Sequence, residues 1–242
     1  APLAAALKTM RVIDASVPNA PLTSPHDFVA SDIGLEAFAW NTPIAALRSV
    51  LWERLGDIRV IESADDPDQY DLIVAADGRH SALRDKAGIK AAIHDVEQAA
   101  LTFVVEHAHD HKNISTEIQR IDGPLTFVPL PGGHHASVVF AGRHDDQKAL
   151  LAQGTNAIQN AINAHGGSYV IVSDPALHPL PFMTVDKLWA GKTIIAAEAA
   201  HVLHPLGAQG LNLSLRDVHA LSDLITKAIE TGTPINHQIH VM

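Results

Sequence analysis

Two stretches of this 242-residue chain end an apolar run in an acid and follow it with a glycine and a helix start. The more informative is Lys192-Thr-Ile-Ile-Ala-Ala-Glu198-Ala-Ala-His201-Val-Leu-His-Pro205-Leu-Gly207-Ala-Gln209-Gly210-Leu-Asn212. A short buried strand delivers Glu198 to its carboxyl end, Gly207 and Gly210 let backbone approach a ligand closely, and the next helix aims unpaired N–H groups at it. Such a bend suits a large polar cofactor. Upstream, Asp71-Leu-Ile-Val-Ala-Ala-Asp77-Gly78-Arg79-His80-Ser81-Ala-Leu-Arg84 repeats the logic. Each stretch also has a plainer reading: Asp-Gly is common strand-end punctuation, Glu198 could be a helix-cap carboxylate, and His201 a satisfied core histidine. Their joint order favours the ligand site.

Other chemistries are poorly supported. Cysteine is absent, so disulfides, thiolate metal sites and a cysteine nucleophile cannot enter. Sixteen histidines invite a metal, and His107, His109 and His111 share one face if residues 106–112 are extended. The neighbouring Asp110, Lys112 and Asn113 read instead as a solvated hairpin tip, and His201 and His204 lack a nearby third ligand, so no metal is assigned. Ser81 has no base at elbow spacing, which leaves nucleophilic hydrolysis without support. Seventeen Lys and Arg against 27 Asp and Glu give a net charge of -10, unsuited to general nucleic-acid binding. No stretch approaches the roughly 20 apolar residues of a membrane span, and the opening residues lack a basic leader. Trp40, Trp52 and Trp189 are expected as packing residues.

The elements that must position these residues follow from periodicity and punctuation. A strand is expected over 8–15, an irregular connection through Pro18, Pro21 and Pro25, and an amphipathic helix over 43–55 with Gly56 as its stop. Residues 58–62 suit a short strand, Asp65 to Asp68 a turn, 72–76 a parallel strand covered on both faces, and 81–88 a short helix. From residue 99 the texture becomes β-rich, with strands over 101–106, 114–121, 125–129 and 136–141 in an antiparallel sheet. One helix over 145–164 and a strand over 169–173 follow. A strand over 193–197 then leads into a long helix whose face is Leu211, Leu215, Val218, Leu221, Ile225 and Ile229, ending at Gly232 and Pro234. The fold class is therefore mixed α/β, an incomplete cofactor-binding α/β layer with an inserted antiparallel sheet. Residues 1–98 and 181–242 form the cofactor region, with the N-terminal strand a candidate for the other sheet, and 99–180 form the substrate region.

At these residues the chain resembles the flavin-dependent aromatic hydroxylases, the para-hydroxybenzoate hydroxylase group, and within it the branch that hydroxylates ubiquinone precursors. Asp77-Gly78-Arg79-His80-Ser81-Ala82-Leu83-Arg84 is similar to that family's Asp-Gly motif. Glu198…His201…Pro205…Gln209-Gly210…Asn212…Arg216-Asp217 is similar to its second flavin motif from end to end. The resemblance implies that Glu198 binds the ribityl chain of FAD, while Pro205, Gly207, Gln209, Gly210 and Asn212 cradle the pyrimidine end of the isoalloxazine. It implies that Asp77 and Gly78 lie near the cofactor pyrophosphate and the nicotinamide nucleotide, with Arg84 ordering that region through ion pairs. Asp77 would repel phosphate and is read as a backbone-organising acceptor.

Departures from the family pattern matter too. No two glycines are spaced i, i+2 anywhere, so the family's G-x-G-x-x-G nucleotide anchor is missing and the chain begins part-way into the pattern. Ala197 and Ala208 stand where glycine is usual, and Glu198 where Asp is common. An added methyl at a close approach is expected to crowd the flavin. The implied reaction is FAD-dependent monooxygenation of an aromatic ring, a polyprenylated phenol of ubiquinone biosynthesis. NAD(P)H is the reductant, a flavin hydroperoxide the oxygen donor, and no side chain is assigned as catalytic. Such a substrate implies a cytoplasmic protein in transient contact with the inner membrane surface or a biosynthetic complex. The alternative is a non-catalytic fragment or pseudoenzyme acting as an interaction module.

Overall fold

The computed structural model describes residues 3–17, 23–58 and 69–233. In chain order the elements are β1 (Ala5–Leu7), β2 (Thr9–Ala15), β3 (His26–Val29), β4 (Ala39–Asn41), α1 (Ile44–Glu53), β5 (Ile73–Ala75), α2 (Ala82–Lys86) and β6 (Ala91–His94). Then come β7 (Gln98–His107), β8 (Ile114–Arg120), β9 (Leu125–Pro129), β10 (His135–Arg143), α3 (His144–Ala152), α4 (Thr155–Asn163), β11 (Tyr169–Ile171) and β12 (Ala176–Pro179). The chain closes with β13 (Phe182–Val185), β14 (Trp189–Ala190), β15 (Thr193–Ile195) and α5 (Gln209–Thr231). The strand expected over 58–62, the Asp65 to Asp68 turn, Pro18, Pro21 and Pro234 fall outside the described residues, apart from Ile58.

Two compact units result, one from residues 1–59 and 97–179, the other from 60–96 and 180–242. The first unit is built on an eight-stranded sheet in the order β11-β7-β10-β9-β8-β2-β3, with β12 also paired to β7. Strand alternation turns Leu101, Phe103, Val105, Ile118, Leu125, Phe127, Val138 and Phe140 to one face, where they form a core with Ile158 and Ile162 of α4. The sheet is not purely antiparallel, because β2 runs parallel to β8 and carries the first residues into this unit. The single helix expected over 145–164 is two helices, broken at Gly154, whose φ of +91° no helix accommodates. A built Cβ on Gly123 comes within 3.0 Å of the Ala141 backbone, and its φ of +130° also favours glycine in the β8–β9 turn. Trp40 and Trp52 are exposed, at 58% and 64%, and do not pack as expected from sequence; Trp189 is half-buried.

The second unit contains a three-stranded sheet, β14-β15-β5, in which β15 and β5 run parallel in the register Ile195↔Ala75. Ala75, Ile89, Ile195, Ala199 and Ala200 form its core. Val74 is 41% exposed, so β5 is covered on one face rather than both. A separate pair, β6 with β13, continues past β13 through a bridge between Met183 and Val202. Helix α5 reverses part of the sequence expectation: Leu211, Leu215, Val218 and Ile229 are exposed, while the face bearing Asp217, Ala220, Leu221 and Leu224 turns inward with buried Ala228. Both faces of α5 are apolar, so periodicity alone finds a stripe without saying which one packs inside the unit.

Candidate flavin-binding site

Parallel pairing of β5 and β15 brings the two acids of the sequence motifs to the same end of one sheet. Asp77 lies two residues beyond β5, and Glu198 lies in a 3-10 turn (Ala197–Ala199) just beyond β15. Loops at the carboxyl ends of parallel strands are where ligands collect in such sheets, because side chains and helix starts converge there. All nine residues singled out for the cofactor fall in this unit.

Asp77 organises its own turn. One carboxylate oxygen accepts the Ser81 hydroxyl, and the other accepts the Leu83 N–H at 3.3 Å. Burial pushes its pKa up, but the hydrogen bonds from Ser81 and from the Leu83, Asp77 and Ala82 backbone outweigh it and hold the carboxyl below its usual range. Ser81 in turn caps α2, its hydroxyl accepting the Arg84 N–H at 2.9 Å. Gly78 has φ +91°, and a Cβ built there meets nothing within 4 Å.

Arg84 is 4% exposed and works through carbonyls more than through ion pairs. Its Nη1 donates to the Arg79 carbonyl at 2.9 Å and the Ala199 carbonyl at 3.3 Å, and lies 3.4 Å from the Met183 sulfur. Only Nε faces an acid, Asp85 at 3.3 Å. Arg84 thereby fastens the helix of the first motif to the turn of the second. Arg79 reaches Glu198 itself, Nε to Oε2 at 3.9 Å, a solvated pair of small energetic weight.

Glu198 is presented outward, its side chain 58% exposed. Beyond it the chain turns through Pro205, reverses at Gly207 (φ +72°, ψ +10°) and Ala208 (φ +51°, ψ +38°), and enters α5. No side chain caps the helix at Ala208. Gln209 donates to the Gly207 carbonyl at 3.0 Å and Asn212 to the Ala208 carbonyl at 3.2 Å, so both amides brace the bend rather than fill it. A Cβ built on Gly210 meets nothing within 4 Å, and one on Gly207 meets only the flexible Gln209 side chain. The first N–H groups of a 23-residue helix stand at the bend without a capping side chain.

Ala197 and Ala208, the two positions at which the sequence departs from the expected glycines, both hold left-handed backbone, with φ +55° and +51°. The chain keeps the shape glycine would give despite the added methyl groups. A cavity of about 270 Å³ under β14, β15 and α5 is lined by Trp189, Ile195, Asp217, Leu221 and Leu224. None of Glu198, Gly207 or Gly210 lines it, so it is distinct from the bend.

Sequence reasoning gave no task to Asp217 beyond membership of the motif, and offered for His201, apart from the motif, only the reading of a satisfied core histidine. In the structure the Asp217 carboxylate accepts the Ala197 N–H at 3.0 Å and faces His201 Nε2 at 2.6 Å. No sequence signal pointed to it, because periodicity does not say which face of α5 turns inward; the structure sets Asp217 on that face beside Ala220, Leu221 and Leu224. His204 stacks on Phe182 with ring centroids 5.9 Å apart, and burial pushes its pKa down. Among the described residues no three His, Cys, Asp or Glu side chains converge as a metal site would need.

Residues 62–235, which contain both motifs, match the FAD binding domain family. The chain belongs to that family. It is 30% identical over 165 residues to the ubiquinone hydroxylase UbiL of Rhodospirillum rubrum, a match covering 66% of this chain and 38% of that protein. It is 25% identical over 229 residues to the 3-demethoxyubiquinol 3-hydroxylase of Escherichia coli, covering 85% of this chain and 58% of that protein. Among solved structures, the chain superposes on Pseudomonas aeruginosa PqsL in complex with 2-aminobenzoylacetate with a TM-score of 0.72 at 18% identity, covering 96% of this chain and 71% of that one. The FAD-binding family expected from the two motifs is the family found, and the mixed α/β fold is shared with solved structures described as FAD-dependent monooxygenases. The chain spans about two fifths to three fifths of the length of these two curated relatives.

The residues present fit one half of FAD. An exposed carboxylate suits ribityl hydroxyls, and an uncapped helix start beside open glycines suits the electron-rich pyrimidine end of the ring. For the ADP half, the 242 residues offer no G-x-G-x-x-G turn.

Proposed function

We propose that this chain forms the flavin-ring and substrate portion of an FAD-dependent aromatic hydroxylase acting on a polyprenylated phenol of ubiquinone biosynthesis. The observation that carries the reading is the parallel pairing of β5 with β15, which brings the Asp77 turn and the Glu198 turn to one end of the sheet, with the uncapped start of α5 following the second turn. Bound FAD, reduced by NAD(P)H, supplies oxygen activation and transfer to the ring. The chain's own residues bind and orient. Glu198 accepts hydrogen bonds from the ribityl chain, and the Gly207 to Asn212 backbone meets the pyrimidine end, where the helix dipole favours the negative charge of the reduced ring. Gly78 gives a close approach on the pyrophosphate and nicotinamide side, and Arg84 keeps the two turns together.

The first unit selects the substrate. Its sheet face opposite α3 and α4 carries Ser115, Glu117, Thr126, Val128 and Ser137, all half-buried, a mixed surface suited to a phenol with an apolar tail. Burial pushes the Glu117 carboxyl up, and a hydrogen bond with Thr126 only partly offsets this. No helix of the described residues is long and apolar enough to cross a membrane. A polyprenylated phenol resides in the bilayer, so transient contact with the inner membrane surface, or with a biosynthetic complex there, is part of the proposal.

The test is reconstitution with excess FAD, followed by gel filtration, visible absorbance, and NAD(P)H-dependent oxygen uptake with a prenylated phenol. A yellow protein that couples oxygen uptake to ring hydroxylation is expected. The second reading is a non-catalytic interaction module. A colourless, inert protein at high FAD concentration would decide for it.

A further inference from the structure

Presenting Glu198 and holding the turn that presents it are separate tasks in this structure. The turn leaves β15 through Ala197, whose left-handed φ of +55° is uncommon for a residue with a Cβ. Its peptide N–H points at Asp217, two helical turns into α5, and donates to Oδ2 at 3.0 Å. At the far side of the turn the His201 ring returns to the same oxygen, Nε2 to Oδ2 at 2.6 Å. One carboxylate oxygen therefore ties both ends of the segment carrying Glu198 to the helix whose start forms the other wall of the bend. The contacts are sheltered, with side-chain exposures of 18% for His201 and 27% for Asp217.

We propose that Asp217 is the positioning residue of the site: by binding the Ala197 N–H and the His201 ring together, it fixes Glu198 relative to the start of α5. Asp217 touches no ligand in this role and acts through Glu198. The claim rests on the reading of Glu198 as a flavin-binding residue, but its geometric content stands without flavin.

The experiment uses the full chain as wild type, Asp217→Ala, Asp217→Asn, Glu198→Ala and the Asp217→Ala/Glu198→Ala double variant. Hydrogen exchange without flavin, followed by mass spectrometry over residues 196–202, is expected to quicken at least about tenfold in Asp217→Ala while β5 and β13 keep wild-type protection. Asp217→Asn, which keeps one acceptor oxygen, is expected to lie between, and it carries the test if the alanine variant does not fold. Flavin fluorescence titration is expected to show about tenfold weaker FAD binding for Asp217→Ala, and less than about twofold further loss when the same change is made on Glu198→Ala, because the two residues act in series. Fully additive losses would show that Asp217 does not work through Glu198 and would overturn the proposal. Wild-type exchange in both Asp217 variants would overturn it whatever the flavin result. If the wild type binds no FAD, the flavin-site reading fails, and the exchange measurement alone decides whether the latch exists.

Discussion

Replacing Ala197 and Ala208 with glycine is expected to stabilise the protein, against the usual direction of Ala→Gly changes. Both residues hold left-handed backbone, with φ +55° and +51°. That conformation costs a residue bearing a Cβ about 1–2 kcal/mol, and glycine removes the cost. Against this stands the extra freedom of glycine in the unfolded chain, about 0.4–1 kcal/mol. The net gain is about 0.5–1 kcal/mol per site, and the sites share no hydrogen bond in the structure, so the gains should add to about 1–2 kcal/mol. For a chain of this length that corresponds to a rise in Tm of roughly 2–8 °C for the double variant. Ala199→Gly is the control in the same turn. Ala199 is fully buried and is not among the left-handed residues, so losing its methyl and stiffening should lower stability by about 1–2 kcal/mol. The assay is thermal unfolding followed by circular dichroism. If Ala197→Gly and Ala208→Gly lower Tm as Ala199→Gly does, the turn is not held in the conformation described.

Other substitutions probe different parts of the account. Arg84→Met should cost about 2–4 kcal/mol in chemical denaturation, because it strips the Arg79 and Ala199 carbonyls of a charged donor in a buried setting. Gly123→Ala should lower stability by at least about 2 kcal/mol, since its methyl meets the Ala141 backbone and its φ is unfavourable. Burial, with the neighbouring His111, His134 and His135, holds His107 below its usual pKa. Its proton is therefore bound less readily in the folded than in the unfolded chain, and stability falls as pH drops through the unfolded value near 6.5. Denaturation at pH 7.5 and 5.5 should show a smaller acid-induced loss in His107→Gln than in the wild type.

The parts of this fold written in local chemistry were readable from sequence. Asp77, Ser81 and Arg84 lie at fixed offsets around a short helix, and the helix start after Gly207 is marked by its own glycines, so both turns fall where spacing puts them. What depends on distant partners was not. The parallel placement of β2 beside β8 cannot be seen in an alternation that reads alike for parallel and antiparallel neighbours. Apolar residues on both sides of α5 hid which face turns inward. The break at Gly154 yielded to a helical spacing that continues on either side of it. In the sequence Asp217 is one letter of a motif, and its function appears only when α5 folds back on the Glu198 turn and one oxygen meets two donors.

The central claim is that the bend beyond Glu198 seats a flavin against the start of α5. Fluorescence titration of FAD into the wild type and Glu198→Ala, with thermal unfolding of both, tests it most directly. Loss of one exposed carboxylate that accepts ribityl hydroxyls should weaken binding about tenfold or more, through the loss of hydrogen bonds to a charged group, with Tm unchanged. Equal affinity in the two proteins, at equal stability, would contradict it.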